Sequence, residues 1–250
     1  MAAQETHLEG VSNNIANANT TGYKKQRVEF HDLLYQTIRA AGTQTTAQTS
    51  SPTGIQVGSG VRVVGISRSF DQGNILVTGN PLDIAIEGDG FFVVQQGNGT
   101  PAYTRAGAFR ADAQGQLVNP EGLLLEPPII IPPDAINVTV GSDGTVNAVL
   151  AGQPDPVQLG QLEIANFINP SGLSALGRNL FVPSSASGDA QIGTPGEDGR
   201  GALLQGALER ANVDVVEEMI GLISAQRAYE INSRIVTAAD EMLRTATELA

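Results

Sequence analysis

The chain has 250 residues, room for one large domain or two modest ones with a real hydrophobic core. Its 14 Lys and Arg against 26 Asp and Glu leave a net charge of −12, so most of the surface repels a phosphate backbone and nucleic acid is not an expected partner. With no cysteine there is no disulfide framework, no thiolate nucleophile and no zinc site of the thiolate kind.

Charged residues make up only 16% of the chain, against roughly a quarter in ordinary domains. The surface is therefore largely Gly, Ala, Ser, Thr, Asn and Gln, as in surfaces that are covered by neighbouring subunits. The N-terminus lacks the basic and apolar regions of a secretory signal, and no run of about 18 apolar residues is present to span a bilayer. Export by another route and no membrane insertion are the expectations.

In chain order, Leu8, Val11 and Ile15 repeat at helical spacing before Gly22 and its polar neighbours stop the helix. From Gly42 to Gly60 no residue is charged, and Thr, Gln, Ser, Gly and Pro predominate. This reads as an extended or loop-like connector whose Thr and Gln suit β ladders or contact with neighbouring chains.

The middle alternates short apolar runs with turns. Leu82, Ile84 and Ile86 alternate with Asp83, Ala85 and Glu87; Gly88-Asp89-Gly90 turns into Phe91-Phe92-Val93-Val94, and Gly97-Asn98-Gly99 turns again. Further runs around Phe109, Leu117, Leu123, Val138, Val146, Leu159, Leu162 and Ile164 predict a β barrel or sandwich, and Ser184 to Gly201 a returning loop.

The C-terminal segment predicts one long helix from Val213 to Leu249. Val215, Leu222, Tyr229, Val236 and Leu243 recur every seventh residue, beside a second stripe of Ala228, Ile235, Met242 and Leu249. Two adjacent stripes form an apolar face broader than the short N-terminal helix can cover. Such helices are marginal alone in water, so both ends are expected to fray in a monomer and to order when packed against other copies. Glu230 with Arg234 and Asp240 with Arg244 are spaced as i,i+4 ion pairs on the polar side.

The fold class expected is thus α+β: a mainly β middle, barrel- or sandwich-like, with N- and C-terminal helices in a coiled-coil-like packing domain. The division expected is 1–30 with 210–250 for the helical part, 31–70 for the connector and 71–209 for the β-rich part.

Little in the sequence carries catalysis. His7 and His31 have no Asp or Glu at metal-binding spacing, and no nucleophile-elbow, zinc-protease or phosphate-loop pattern occurs. Asp89, Asp112 and Asp143 sit in turns, where Asp accepts backbone hydrogen bonds. No enzyme, cofactor or metal is expected. Lys24, Lys25 and Arg27, the basic cluster, read as a solvated face or a subunit contact.

Asn13-Asn14-Ile15-Ala16-Asn17-Ala18-Asn19-Thr20-Thr21-Gly22-Tyr23-Lys24 resembles the N-terminal signature of bacterial flagellar rod and hook proteins. Asn212-Val213, Glu217-Glu218-Met219-Ile220, Gln226-Arg227-Ala228-Tyr229-Glu230 and Asp240-Glu241-Met242-Leu243 are similar to their C-terminal helix. Asp83-Ile84-Ala85-Ile86, Gly90-Phe91-Phe92, Tyr103-Thr104-Arg105-Ala106-Gly107-Ala108-Phe109 and Gly115-Gln116-Leu117-Val118 resemble the shared β domain. The run from Asp32 to Arg39, the neutral connector and Gln56 to Val61 resemble the segment by which distal rod subunits differ from hook subunits.

The resemblance implies a structural subunit exported unfolded through the flagellar type III apparatus and stacked helically into a hollow periplasmic rod that transmits torque. Its partners would be further copies of itself, proximal rod and hook subunits, and P-ring, L-ring and rod-cap proteins. The resemblance assigns assembly to Asn13, Asn14, Asn17, Gly22, Tyr23, Gln226, Arg227, Tyr229 and Glu230. Packing of the helices, around the channel with the β domain outside, falls to Leu8, Val11, Ile15, Leu222, Tyr229, Ile235, Val236, Met242 and Leu243. Family members begin earlier with an apolar helical start, which implies a shortened inner helix here. Proximal rod and hook subunits are the alternatives; hook subunits usually carry extra β domains, which the length disfavours.

Overall fold

The structure is a computed structural model. It describes residues 1–250 except 43, 47, 48, 51, 153, 154, 249 and 250, with only the backbone of 44–46, 49 and 50. The chain forms two compact units: one comprises Met1–Ile15, Gln26–Ser67 and the C-terminal segment from Val216, the other Ala16–Lys25 and Arg68–Val215. The α+β class is as the sequence predicts, with strands through the middle and a helix at each end.

The second unit is organised around Phe91–Gln95, a strand whose side chains are buried on both faces except at its last residue. That explains its unbroken apolar run, because a half-exposed strand would alternate. Phe92 and Val94 enter one core with Ile84, Ile86, Phe109, Leu125 and Leu162. Phe91 and Val93 enter a second with Tyr103, Phe167, Leu173 and Phe181. Edge-to-face ring contacts occur in both, Phe92 on Phe109 at 5.0 Å and Tyr103 on Phe167 at 4.9 Å.

Phe91–Gln95 pairs antiparallel with Pro101–Thr104 across the Gly97-Asn98-Gly99 turn, with Leu124–Glu126 along its second half, and with Ile164–Asn166 at Phe91 and Phe92. The sheet has nine strands, beside a three-stranded one formed by Ala135–Val140, Thr145–Leu150 and Val157–Gln161. No closed barrel forms among the described residues.

One expectation is corrected here. The stretch from Ser184 to Gly201 is not wholly loop, since Gln191–Gly193 pairs with Ile164–Asn166. The outer backbone edge of that strand needs partners when it is buried, and glycine-rich composition does not prevent Gln191–Gly193 from supplying them.

The first unit holds α1 (Ala2–Ala16), α2 (Val215–Glu248) and a two-stranded ribbon. At 1.5 Å per residue the 34 residues of α2 extend about 51 Å. The neutral connector belongs to the ribbon: Gln26–Asp32 pairs with Val61–Arg68, Tyr35–Arg39 with Ile55–Gly58, and Gln44–Thr46 with Thr49–Ser50. Of the two forms expected, extended or loop-like, the connector takes the extended one, as part of a long antiparallel arm. Leu34, Tyr35, Ile38, Val57, Val64 and Ile66 all stand exposed along it, Leu34 at 92%.

Leu249, the last residue of the second predicted stripe, and parts of the connector lie outside the described residues. Among the described residues no ion pair within 4.0 Å joins Glu230 to Arg234 or Asp240 to Arg244; Arg244 instead lies 3.9 Å from Glu248. Both partners there are exposed, and such a pair is worth little in either arrangement.

Candidate assembly site

The N-terminal signature is divided between the two units, and it meets the C-terminal one at Asn14. In the first unit Asn14 is buried at the end of α1. Its amide donates to the Gln26 carbonyl at 2.9 Å and to Glu218 Oε2 on α2 at 3.1 Å, while its oxygen accepts the Gln26 N–H at 2.9 Å. Val11 is buried, Leu8 and Ile15 half-buried, and Asn13 exposed.

In the second unit the later signature residues dock on the strand Ala207–Glu209. The Gly22 N–H donates to the Glu209 carbonyl at 2.8 Å. Thr20 Oγ1 donates to Asn17 Oδ1 at 3.3 Å, and Tyr23 is buried. Gly22 has φ of +69°, and a Cβ there would stand 2.6 Å from the Arg105 and Ala106 backbone. Gly22→Ala therefore destabilises the chain by about 1–3 kcal/mol, read as a lowered unfolding midpoint; an unchanged midpoint would show that the close approach is not enforced.

Lys24 is the main departure from the sequence reading. It is not part of a solvated basic face: it is 1% exposed, and so is Glu209, whose Oε1 it reaches at 2.7 Å. Arg105, 4% exposed, donates from Nε to Glu209 Oε2 at 2.7 Å. The Gly73 N–H adds a third donor to Glu209 at 2.8 Å. Lys24 also donates to the Asp71 carbonyl at 2.7 Å, and Arg105 to the Gly88 and Gly90 carbonyls at 2.8 and 2.7 Å.

One carboxylate thus bridges two buried cations whose remaining hydrogens find carbonyls. Burial opposes charge on Glu209, yet Arg105 and Lys24 outweigh it and hold the carboxyl below its usual range. Burial pulls Lys24 below its usual range, with Glu209 opposing.

The sequence reading missed this knot because Lys24 and Lys25 are adjacent in the chain but differently placed. Lys25 is half-buried and Arg27 exposed. The available signal was Glu209, which shares the inward face of a short strand with buried Ala207. Beside the knot, Asn212 accepts the Lys25 N–H at 2.7 Å and donates to the Ser69 and Asp71 carbonyls at 2.9 and 3.1 Å.

Along α2 the arrangement reverses. Glu218 and Ala225 are its buried residues. Gln226, Arg227, Tyr229 and Glu230 are exposed. Leu222 is half-buried, whereas Ile235, Val236, Met242 and Leu243 are exposed, Ile235 at 60% and Leu243 at 67%. Val216, Met219, Ile220, Ile223 and Ile231 join them, so the large apolar residues of the helix face outward. The structure therefore brings Asn14 to α2 and gathers Gly22, Tyr23 and Lys24 on the β unit, but leaves the C-terminal motif uncovered.

The turn aspartates accept backbone hydrogen bonds: Asp112 Oδ1 from the Gln114 and Gln116 N–H groups at 2.9 and 2.8 Å, Asp143 Oδ1 from that of Thr145 at 3.1 Å. His7 lies edge-on to Phe30 at 5.8 Å and His31 is exposed. Among the described residues no group of three or more His, Asp or Glu is placed to hold a metal ion, and no helix is long and apolar enough to cross a membrane.

Three family models match: flagella basal body rod protein over residues 1–24, the D1 domain of flagellar hook protein FlgE/F/G over 85–148, and the C-terminal part of flagellar basal body rod FlgEFG protein over 204–249. The flagellar basal-body rod protein FlgG of Caulobacter vibrioides is 48% identical over 250 residues, covering 100% of this chain and 95% of that protein. FlgG of Borreliella burgdorferi is 45% identical over 251 residues, with 100% and 95% covered. FlgG of Bacillus subtilis is 41% identical over 250 residues, with 98% and 94% covered. With full-length identity of this order and the rod signatures joined at Asn14, Gly22 and Lys24, the chain belongs to the FlgG family of flagellar basal-body rod proteins.

Proposed function

We propose that the chain is a structural subunit of the flagellar distal rod, polymerising helically into a hollow shaft that carries torque from motor to hook. The observation that carries this reading is α2: a helix of 34 residues whose bulky apolar side chains are mostly exposed in the single chain. An apolar face of this length marks an interaction surface, and other copies of the chain are the partners that cover it.

The terminal segments 1–30 and 210–250 are the polymerisation domain, 31–70 an arm, and 71–209 the β-rich part. Gln226, Arg227, Tyr229 and Glu230 then serve contacts between subunits, as do Ile235, Val236, Met242 and Leu243. The shaft is a scaffold, not an enzyme. It works in the periplasm after export by the flagellar type III route, and it joins proximal rod and hook subunits at its ends. P- and L-ring proteins and the rod cap are its further contacts.

The test is electron microscopy of the purified chain at rising concentration, with helical tubes expected and a strictly monomeric solution at every concentration contradicting the reading. The arm, uncharged from Gly42 to Gly60 and carrying exposed apolar residues, adds lateral contacts that stiffen the tube. Deleting residues 42–58 should leave tubes that form but bend more readily in micrographs; tubes as straight as the parent's would remove the arm from that role.

A further inference from the structure

The seam of α2 that meets α1 differs in kind from the face left exposed. Between Val215 and Glu230 the covered or half-covered positions of α2 are Glu218, Gly221, Leu222, Ala225 and Ala228, with Leu222 the one large apolar residue among them. On α1 the facing residue is Val11, whose Cγ2 lies 3.9 Å from the place of a Cβ on Gly221. Small residues let helices approach closely but give few knobs to fix their register. Into this seam the sequence sets two polar side chains, Asn14 at 1% exposure and Glu218 at 5%, joined by the 3.1 Å hydrogen bond.

We infer that the Asn14–Glu218 pair is the specificity determinant that makes each α1 pair with the α2 of its own chain, in one register, as subunits assemble. A slip by one helical turn, about 5.4 Å, would keep apolar atoms against small residues but separate the amide from the carboxylate. A buried carboxylate that loses this amide gives up a hydrogen bond whose geometry is far stricter than that of a shifted methyl contact. Asn14 is itself fixed, because Gln26 both donates to it and accepts from it at 2.9 Å. The amide therefore cannot follow a sliding partner. The outer apolar face of α2, made of Ile223, Ile235, Met242 and Leu243 among others, is left free to serve contacts with different neighbours. Asn14 and Glu218 are positioning residues that distinguish own-chain pairing from exchange of α1 between subunits.

This inference rests on the polymerisation reading, and its test separates the two. The chain has no cysteine, so Val11→Cys with Gly221→Cys places one thiol pair across the seam. A short bis-thiol crosslinker is applied to dilute and to concentrated protein, and products are resolved on denaturing gels. The parent pair should give almost wholly intrachain product in both. Adding Asn14→Leu and Glu218→Met should lower the intrachain yield about tenfold in dilute protein and produce interchain ladders in assembled protein, with pelleted mass unchanged. Asn14 unchanged with Glu218→Gln, whose amide oxygen still accepts, should restore intrachain product. An intrachain yield unaffected by Asn14→Leu and Glu218→Met overturns the inference. Absence of any pelleted polymer in the parent would count against the polymerisation reading alone, since the dilute arm still decides the pairing.

Discussion

Replacing Glu209 by alanine should lower the unfolding free energy of the chain by about 3–5 kcal/mol, measured by denaturant titration at neutral pH. The loss is large because the carboxylate is the shared counter-charge of Lys24 and Arg105, both nearly inaccessible to water. Their carbonyl partners satisfy hydrogen bonds but supply no negative charge. The Gly73 N–H also loses its acceptor. Removing all three charged groups together, by Lys24→Met, Arg105→Met and Glu209→Leu, should cost less than Glu209→Ala alone, since no buried charge then remains uncompensated.

The same carboxylate gives the stability a pH dependence. Its folded pKa lies below the unfolded value, so its contribution is fully present above the ordinary carboxylate range and disappears as pH falls through the lower, folded value. Acidification from about pH 5 towards pH 2 should therefore destabilise the parent chain more steeply than Glu209→Gln. Equal acid slopes would mean that the knot is not where the proton acts. A Glu209→Ala chain as stable as the parent would remove the knot from the account.

Substituting Ile235 and Leu243 together by aspartate should leave the soluble chain as stable as the parent, because both side chains are already exposed by more than half. Assembly should fail. Burying one such side chain contributes about 1.5–3 kcal/mol, so losing two raises the concentration needed for polymer by more than about a hundredfold, before any cost of burying charge. Sedimentation of parent and variant across a concentration series reads this directly. Polymer forming at the parent's concentration would show that this stretch of α2 stays uncovered in the rod.

The two substitutions act at sites that were unequally legible from the sequence. The heptads of α2 declared a long helix and a face too broad for one partner, and Ile235, Met242 and Leu243 do stand free of the rest of the chain. Which residues would meet α1 was not legible, because Gly221 and Glu218 look like poor packing residues next to Leu and Ile. Phe91-Phe92-Val93-Val94 announced a strand, and only the fold shows that its alternate residues feed two separate cores.

The arm was half legible. An uncharged Thr- and Gln-rich composition allows β pairing, but pairing over the distance from Gln26 to Arg68 leaves no local trace beyond the turn residues between them. Lys24 was misread for a physical reason. Charge clusters in sequence suggest a solvated face, whereas three residues of one cluster can point in different directions, and the partner of the buried one is 185 positions away. The resemblance to flagellar rod and hook proteins located the signature without revealing that Asn14 and Lys24 have separate tasks, one on α2 and one on the β unit.

In the proposed rod the outer face of α2 is bare in one molecule and covered in many. Amide hydrogen exchange across residues 229–248, beyond the stretch of α2 that meets Asn14 and Val11, compared between dilute and polymerised protein, tests it most directly. Exchange should be fast in the dilute chain and slow by orders of magnitude in the polymer, with the greatest gain around Ile235 to Leu243. Protection already complete in the dilute chain, or no gain on polymerisation, would contradict it.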